Sequence, residues 1–148
     1  MPMIDIYAAA GTFNDPHALA KDAAAIVKSI EQVPDIPMFR NNTAAFVHEM
    51  NNGALSNVDG DSNYVRVQVL TKAGALDRQK QIAVVRQLTD LVAKAAGDDS
   101  LKDRTWVLLT EAVEGGWGLW GHAHNNDEIV AAAKNEIARL KHHPTRAE

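Results

Sequence analysis

Residues 46–53 read FVHEMNNG and residues 108–115 read LLTEAVEG. Laid over one another they match Glu49 with Glu111 and Gly53 with Gly115, an internal repeat of about 62 residues. Working outward, each copy closes a strand–helix–strand unit. Ahead of the second copy, YVRVQVL (64–70) alternates apolar and polar residues and reads as a strand. ALDRQKQIAVVRQLTDLVAKAAG (75–97) reads as an amphipathic helix ended by Gly97, with Ile82, Val85, Leu88 and Val92 expected to face inward. RTWVLLTEA (104–112) is the returning strand. Ahead of the first copy, Pro2 to Ala8 read as a strand, since a first strand residue need not donate to the ladder. NDPHALAKDAAAIVKSIEQV (14–33) follows as a helix with Asn14 or Asp15 as cap, Pro16 in its first turn and Leu19, Ala23, Ile26 and Ile30 on its inner face. VPDIP (33–37) breaks that helix, TAAFVHEM (43–50) is the returning strand, and NNGALSNVDGDSN (51–63) is a loop.

A helix crossing between two strands of one sheet makes those strands parallel and the crossover right-handed. Two such units give an α+β architecture: a four-stranded sheet with both helices on one face. After the EGGWGLWG turn (114–121), NNDEIVAAAKNEIARLKHH (125–143) adds a terminal helix with Asn126 or Asp127 as cap. The expected division is one domain, with a first unit over 1–60, a second over 61–121, and a C-terminal helix and tail over 122–148. The face away from the helices should still be apolar, through Val65, Val67 and Val69 or through Ile4 and Ile6, which calls for oligomerisation to cover it.

The 148 residues suit one domain with a real core. The net charge of −4, without a Lys/Arg run, argues against a nucleic-acid partner, which would need a basic stripe. There is no cysteine, so disulfide and thiolate chemistry are excluded. No apolar run approaches a membrane span, and no secretory leader is legible at the start, so a cytoplasmic location is expected and no membrane partner. DGDSN (59–63) begins like a calcium loop but has Leu70 where the last carboxylate belongs, and reads as a polar linker. His122, His124, His142 and His143 lack a further partner at metal spacing, so no metal site is expected.

The layout with Pro2 at its head resembles the tautomerase superfamily, from Pro2 to about Gly121. VRVQVL, LDRQKQ and WVLLTEAVEGGWGLWG are similar, in that order, to the strand, helix start, strand and glycine–aromatic turn of 4-oxalocrotonate tautomerase. The two-unit length resembles cis-3-chloroacrylic acid dehalogenase and malonate semialdehyde decarboxylase. The resemblance implies a homotrimer acting without a cofactor on a small-molecule carboxylate. It also implies removal of Met1, so that the Pro2 nitrogen becomes a free secondary amine and the general base. Burial and a neighbouring cation would lower that amine from an ordinary terminal value of roughly 8 toward working pH.

The family holds its substrate's carboxylate with arginines that this chain does not keep in register. Lys72 stands near one such position, and Trp106 occupies another, on the last core strand, with Arg104 two residues earlier. Lys72, Arg104 and Arg40, with Arg66 as an alternative, are the candidate carboxylate holders, and Trp106 is kept among the substrate-side residues. A lysine would orient the substrate more loosely than an arginine fork. Trp117 matches the aromatic residue that walls the family's pocket, and Trp120 could share that role. The dehalogenase's water-activating acid falls near Leu119; Glu114 is out of register, and Asp35 corresponds only loosely to the decarboxylase's aspartate. The expectation is a tautomerase working on the enol of a 2-oxo acid. The alternatives are decarboxylation or hydration on the same proline, or a trimeric binding protein without turnover.

Overall fold

A computed structural model describes residues 1–143. The last residues of the expected C-terminal segment, 144–148, lie outside them. Strand β1 (Met3–Ala9) leads through helix α1 (Pro16–Glu31) and the short helix α2 (Pro37–Asn41) to β2 (Ala44–Met50). The second unit is β3 (Val65–Thr71), α3 (Arg78–Ala96), a 3-10 turn (Asp99–Arg104) and β4 (Thr105–Glu111). A hairpin, β5 (Trp117–Leu119) and β6 (His122–His124), precedes α4 (Asn126–His142). The sheet order is β2-β1-β3-β4. Within each unit the strands are parallel, as the crossover argument requires, and the units meet where β1 and β3 run antiparallel.

Both crossover helices start on an aspartate cap at the repeat spacing. Asp15 accepts from the Ala18 N–H at 3.0 Å, and Asp77 from the Lys80 N–H at 2.9 Å. α4 is capped one residue earlier than the sequence pattern indicates: Asn125 accepts from the Glu128 N–H, and Glu128 answers the Asn125 N–H. α1 buries Leu19, Ala23 and Val27 on the sheet, with Ile26 and Ile30 partly buried beside them.

α3 is rotated from the expected face. Val84, Leu88, Val92 and Ala93 are buried, whereas Ile82 and Val85 are exposed. Its sequence carries two overlapping apolar stripes, and packing against α1 and the sheet selects one of them.

The register pairs Ile4 with Val69 and Ile6 with Val67, so both apolar sets expected as alternatives for the open face lie together under the helices. The open face is different. Phe46, Trp106 and Leu108 are 50%, 40% and 46% exposed there. Between them run polar side chains: Asp5 lies 2.7 Å from His48, His48 stacks on Tyr7, and Arg66 covers the Tyr7 ring. Among the described residues no helix is long and apolar enough to cross a membrane.

A second apolar cluster lies off the end of the sheet where β1 begins. Met1, Ile36, Met38, Phe39, Trp117, Ile129 and Ala133 form it. This cluster, rather than the main core, surrounds the head of the chain.

Candidate active site

Pro2 is buried at the head of β1, where its carbonyl accepts from the Ala44 N–H at 3.2 Å. Ahead of it, Met1 is only 2% exposed. The Met1 ammonium donates to both carboxylate oxygens of Glu31, at 3.2 and 3.3 Å. Glu31 continues the buried stripe of α1 at spacings of four: Leu19, Ala23, Val27, Glu31. It is the last residue of the helix, followed by Gln32 in the left-handed region, and Lys80 donates to its carbonyl at 3.2 Å. Burial pushes the Met1 amine below its ordinary value of 8.0, against the opposite pull of Glu31, and the charge of Lys72 lowers it further.

The walls come from later elements. The Trp120–Gly121 hairpin turn holds both residues at positive φ, 54° and 75°, the pairing that a two-residue turn needs to match strand twist. It leaves Trp120 exposed, while Trp117 is buried in the cluster with Met1. α4 closes the site. Its Glu136 accepts from the Met38 N–H at 2.9 Å, its Asn126 donates to the Ala73 carbonyl at 3.0 Å, and Ile129 and Ala133 pack inward. The sequence pattern gave α4 no task; the structure makes it a lid over the chain's first residues.

The structure therefore brings Pro2, Lys72 and Trp117 to one end of the sheet. It does not bring Arg104 there: β4 begins at the opposite end, and Arg104 donates to Asn63, Ser100 and Asp98. Trp106 pairs through Arg66 with Tyr7, at the far end of β1, and stacks on Tyr64 on the open face. Arg66 donates to Gln68 on that same face. Arg40 binds the Asp35 carbonyl and carboxylate at the surface. The hydrogen bond from Lys28, and then that from Arg40, hold the Asp35 carboxyl below the ordinary range. Glu114 accepts from the Asn126 N–H. Neither acid touches the Met1 nitrogen.

Glu31, which family register passes over, is the carboxylate that does. Its signal was the i+4 stripe of α1. A large concavity of about 650 Å³ lies elsewhere, between α1 and the β2 edge, lined by His17, Lys21, Lys28, Arg40 and several alanines. Loop 59–63 is organised by Asn57, which accepts from the N–H groups of Asp59 and Asp61. Among the described residues no group of three or more His, Asp or Glu side chains could hold a metal ion.

No protein-family model and no curated protein matches this sequence. Solved structures do. N1, a member of the cis-3-chloroacrylic acid dehalogenase family, is 16% identical, with a TM-score of 0.69 over 95% of this chain and 96% of that one. Q0, a fused 4-oxalocrotonate tautomerase solved as a symmetric trimer, is 18% identical, with a TM-score of 0.67 over 81% of this chain and 93% of that one. Pt0534, solved after inactivation by 2-oxo-3-pentynoate, is 15% identical, with a TM-score of 0.67 over 86% of this chain and 98% of that one. At such identity the likeness speaks for architecture alone: the fold is the one seen in tautomerase-superfamily structures.

Proposed function

We propose that the protein is a tautomerase, moving a proton on the enol of a 2-oxo carboxylic acid with the Pro2 amine as base after Met1 is removed. The observation that carries this reading is the position of Pro2, buried at the head of β1 against a closed apolar cluster that Met1 fills. Removing Met1 turns an amide into a secondary amine and vacates a methionine-sized volume in the cluster that holds Trp117, Phe39 and Ile129. In that setting burial disfavours the ammonium, which poises the amine near neutral pH. Lys72 holds the substrate carboxylate as a point charge. Inactivation of Pt0534 by a 2-oxo acid supports that substrate class. A homotrimer, supported by the exposed Phe46, Trp106 and Leu108 on the open sheet face and by the trimeric fused relative, would cover that face. The intended setting is cytoplasmic.

Hydration or decarboxylation on the same amine is the second reading, favoured by one observation, the buried Glu31 carboxylate. Against hydration stands the apolar lining, which offers water few partners. A binding protein without turnover would follow from retention of Met1, which leaves no basic nitrogen at Pro2.

The test is conversion of phenylenolpyruvate to its keto form by the Met1-free protein and by Pro2→Ala, with the N-terminus verified by intact mass. Turnover that is lost in the variant is expected. Equal rates, or none in either, overturn the tautomerase reading. A product heavier by one water favours the second.

A further inference from the structure

The geometry points to Glu31 as the second proton-carrying group of this pocket: in ketonisation it takes the enol hydroxyl proton while the Pro2 ammonium protonates carbon, and in the reverse direction the Pro2 amine is the base. The inference rests on the tautomerase reading but is argued from cost and position. In the chain that keeps Met1, the Glu31 carboxylate, 2% exposed at the negative end of a helix, is compensated by the Met1 ammonium, and removal of Met1 takes that partner away. Apolar residues dominate the cluster around it, and leucine would continue the α1 stripe with none of that penalty. A costly charge kept at one point of a closed site marks a working group.

Its position fits the task. Both Glu31 oxygens reach the Met1 nitrogen, and consecutive backbone nitrogens lie roughly 3–4 Å apart. Once Met1 is gone, its former place separates the Pro2 amine from the Glu31 carboxylate by about the width of one substrate group. Lys72 influences the same point through its charge. A 2-oxo acid enol therefore has one favourable orientation: carboxylate toward Lys72, hydroxyl toward Glu31, and the carbon to be protonated toward Pro2.

The step balances. The Glu31 carboxylate takes the enol O–H proton, and that bond's electron pair becomes the carbonyl π bond. The C=C pair takes a proton from the Pro2 ammonium, whose nitrogen keeps its lone pair. The keto acid leaves; Glu31 passes its proton to Pro2, and the site is restored with no net proton gained or lost.

Other charged groups facing the site are few among the described residues. Lys80 donates to the Glu31 carbonyl, Glu136 accepts from Met38 and lies near Arg139, and the His124 Nδ1 lies on the Trp117 and His122 carbonyls.

Glu31→Gln in the Met1-free protein is the test. A fall in kcat of about 100-fold, with KM nearly unchanged and one limb of the pH profile gone, is expected. Glu31→Asp, one methylene shorter, should keep that limb. Wild-type kcat and pH profile in Glu31→Gln overturn the inference while the Pro2 reading stands. A readout free of turnover separates the two claims: the pH dependence of Pro2 acylation by acetic anhydride, followed by mass spectrometry. Loss of the neighbouring anion should move the amine's titration to lower pH in Glu31→Gln. An unmoved titration shows that Glu31 does not face Pro2 and removes the proposal, whether or not the protein turns over phenylenolpyruvate.

Discussion

The two strand–helix–strand units are copies in backbone and opposites in chemistry. Asp15 and Asp77 cap their crossover helices in the same way, and Gly53 and Gly115 both turn the chain at positive φ, 79° and 83°. Both helices end in the left-handed region, at Gln32 and Gly97. Yet the residue just before that cap is a buried Glu31 in the first unit and a half-buried Ala96 in the second. The head of β1 enters an apolar cluster roofed by α2, β5 and α4. The head of β3 instead lies by a surface network in which Arg104 joins Asn63 and Asp98. A repeat preserves what the fold needs. Where the copies part without a packing reason, the difference points to function.

The contrast at the helix ends can be broken directly. In the chain that keeps Met1, Glu31→Leu strands a buried ammonium and should destabilise by about 3 kcal/mol, because removing one partner of a buried pair leaves the other uncompensated. The matching change, Ala96→Leu, should stay within about 0.5 kcal/mol. Urea denaturation of both variants checks this; similar losses would mean that the two ends are equivalent after all.

The shared feature can be sharpened by Asp15→Ala and Asp77→Ala. Each removes one capping hydrogen bond and should cost about 1 kcal/mol. Thermal melts should show the two nearly equal, since local capping does not depend on which unit carries the site.

A smaller effect belongs to the first unit alone. Burial holds the Met1 amine below 8.0, so between its folded value and 8.0 the unfolded chain binds more protons. Stability of the Met1-bearing chain should therefore rise with pH across that window and level off above it. The penalty is complete below the folded value. The lowered carboxyls of Asp35, Asp98 and Glu128 titrate in the acid range, and the raised Lys102 above 10.5, so they leave the window clear. A denaturation midpoint that falls as the pH rises toward 8.0 contradicts the assignment.

Much of the architecture could be read directly. Strand alternation, aspartate caps and the glycine turns are set by residues close in sequence, and the 62-residue spacing carried the rest. The inner face of α3 could not be read in the same way. Ile82 and Val85 fit a helical stripe as well as Val84 does, and contact with α1 and the sheet chose between them. The open face was misassigned for a related reason. Alternation fixes two faces per strand, but only the β1–β3 register puts Ile4 beside Val69.

The site divides along the same line. Sequence by itself determined the strand that Pro2 heads, the repeat behind it, and the lysine and tryptophan in the segments that follow β3 and β4, because each depends on neighbours along the chain. Only the tertiary structure decided that Glu31, 30 residues away, meets the Met1 nitrogen, that α4 closes over Met38 from 98 residues on, and that Arg104 stays at the other end of the sheet. A glutamate ending a helix looks like a surface residue until the elements packed around it take the water away. That desolvation is a property of the packed fold, of which local sequence carries only the i+4 stripe of α1, and it turns an ordinary carboxylate into the group most worth testing.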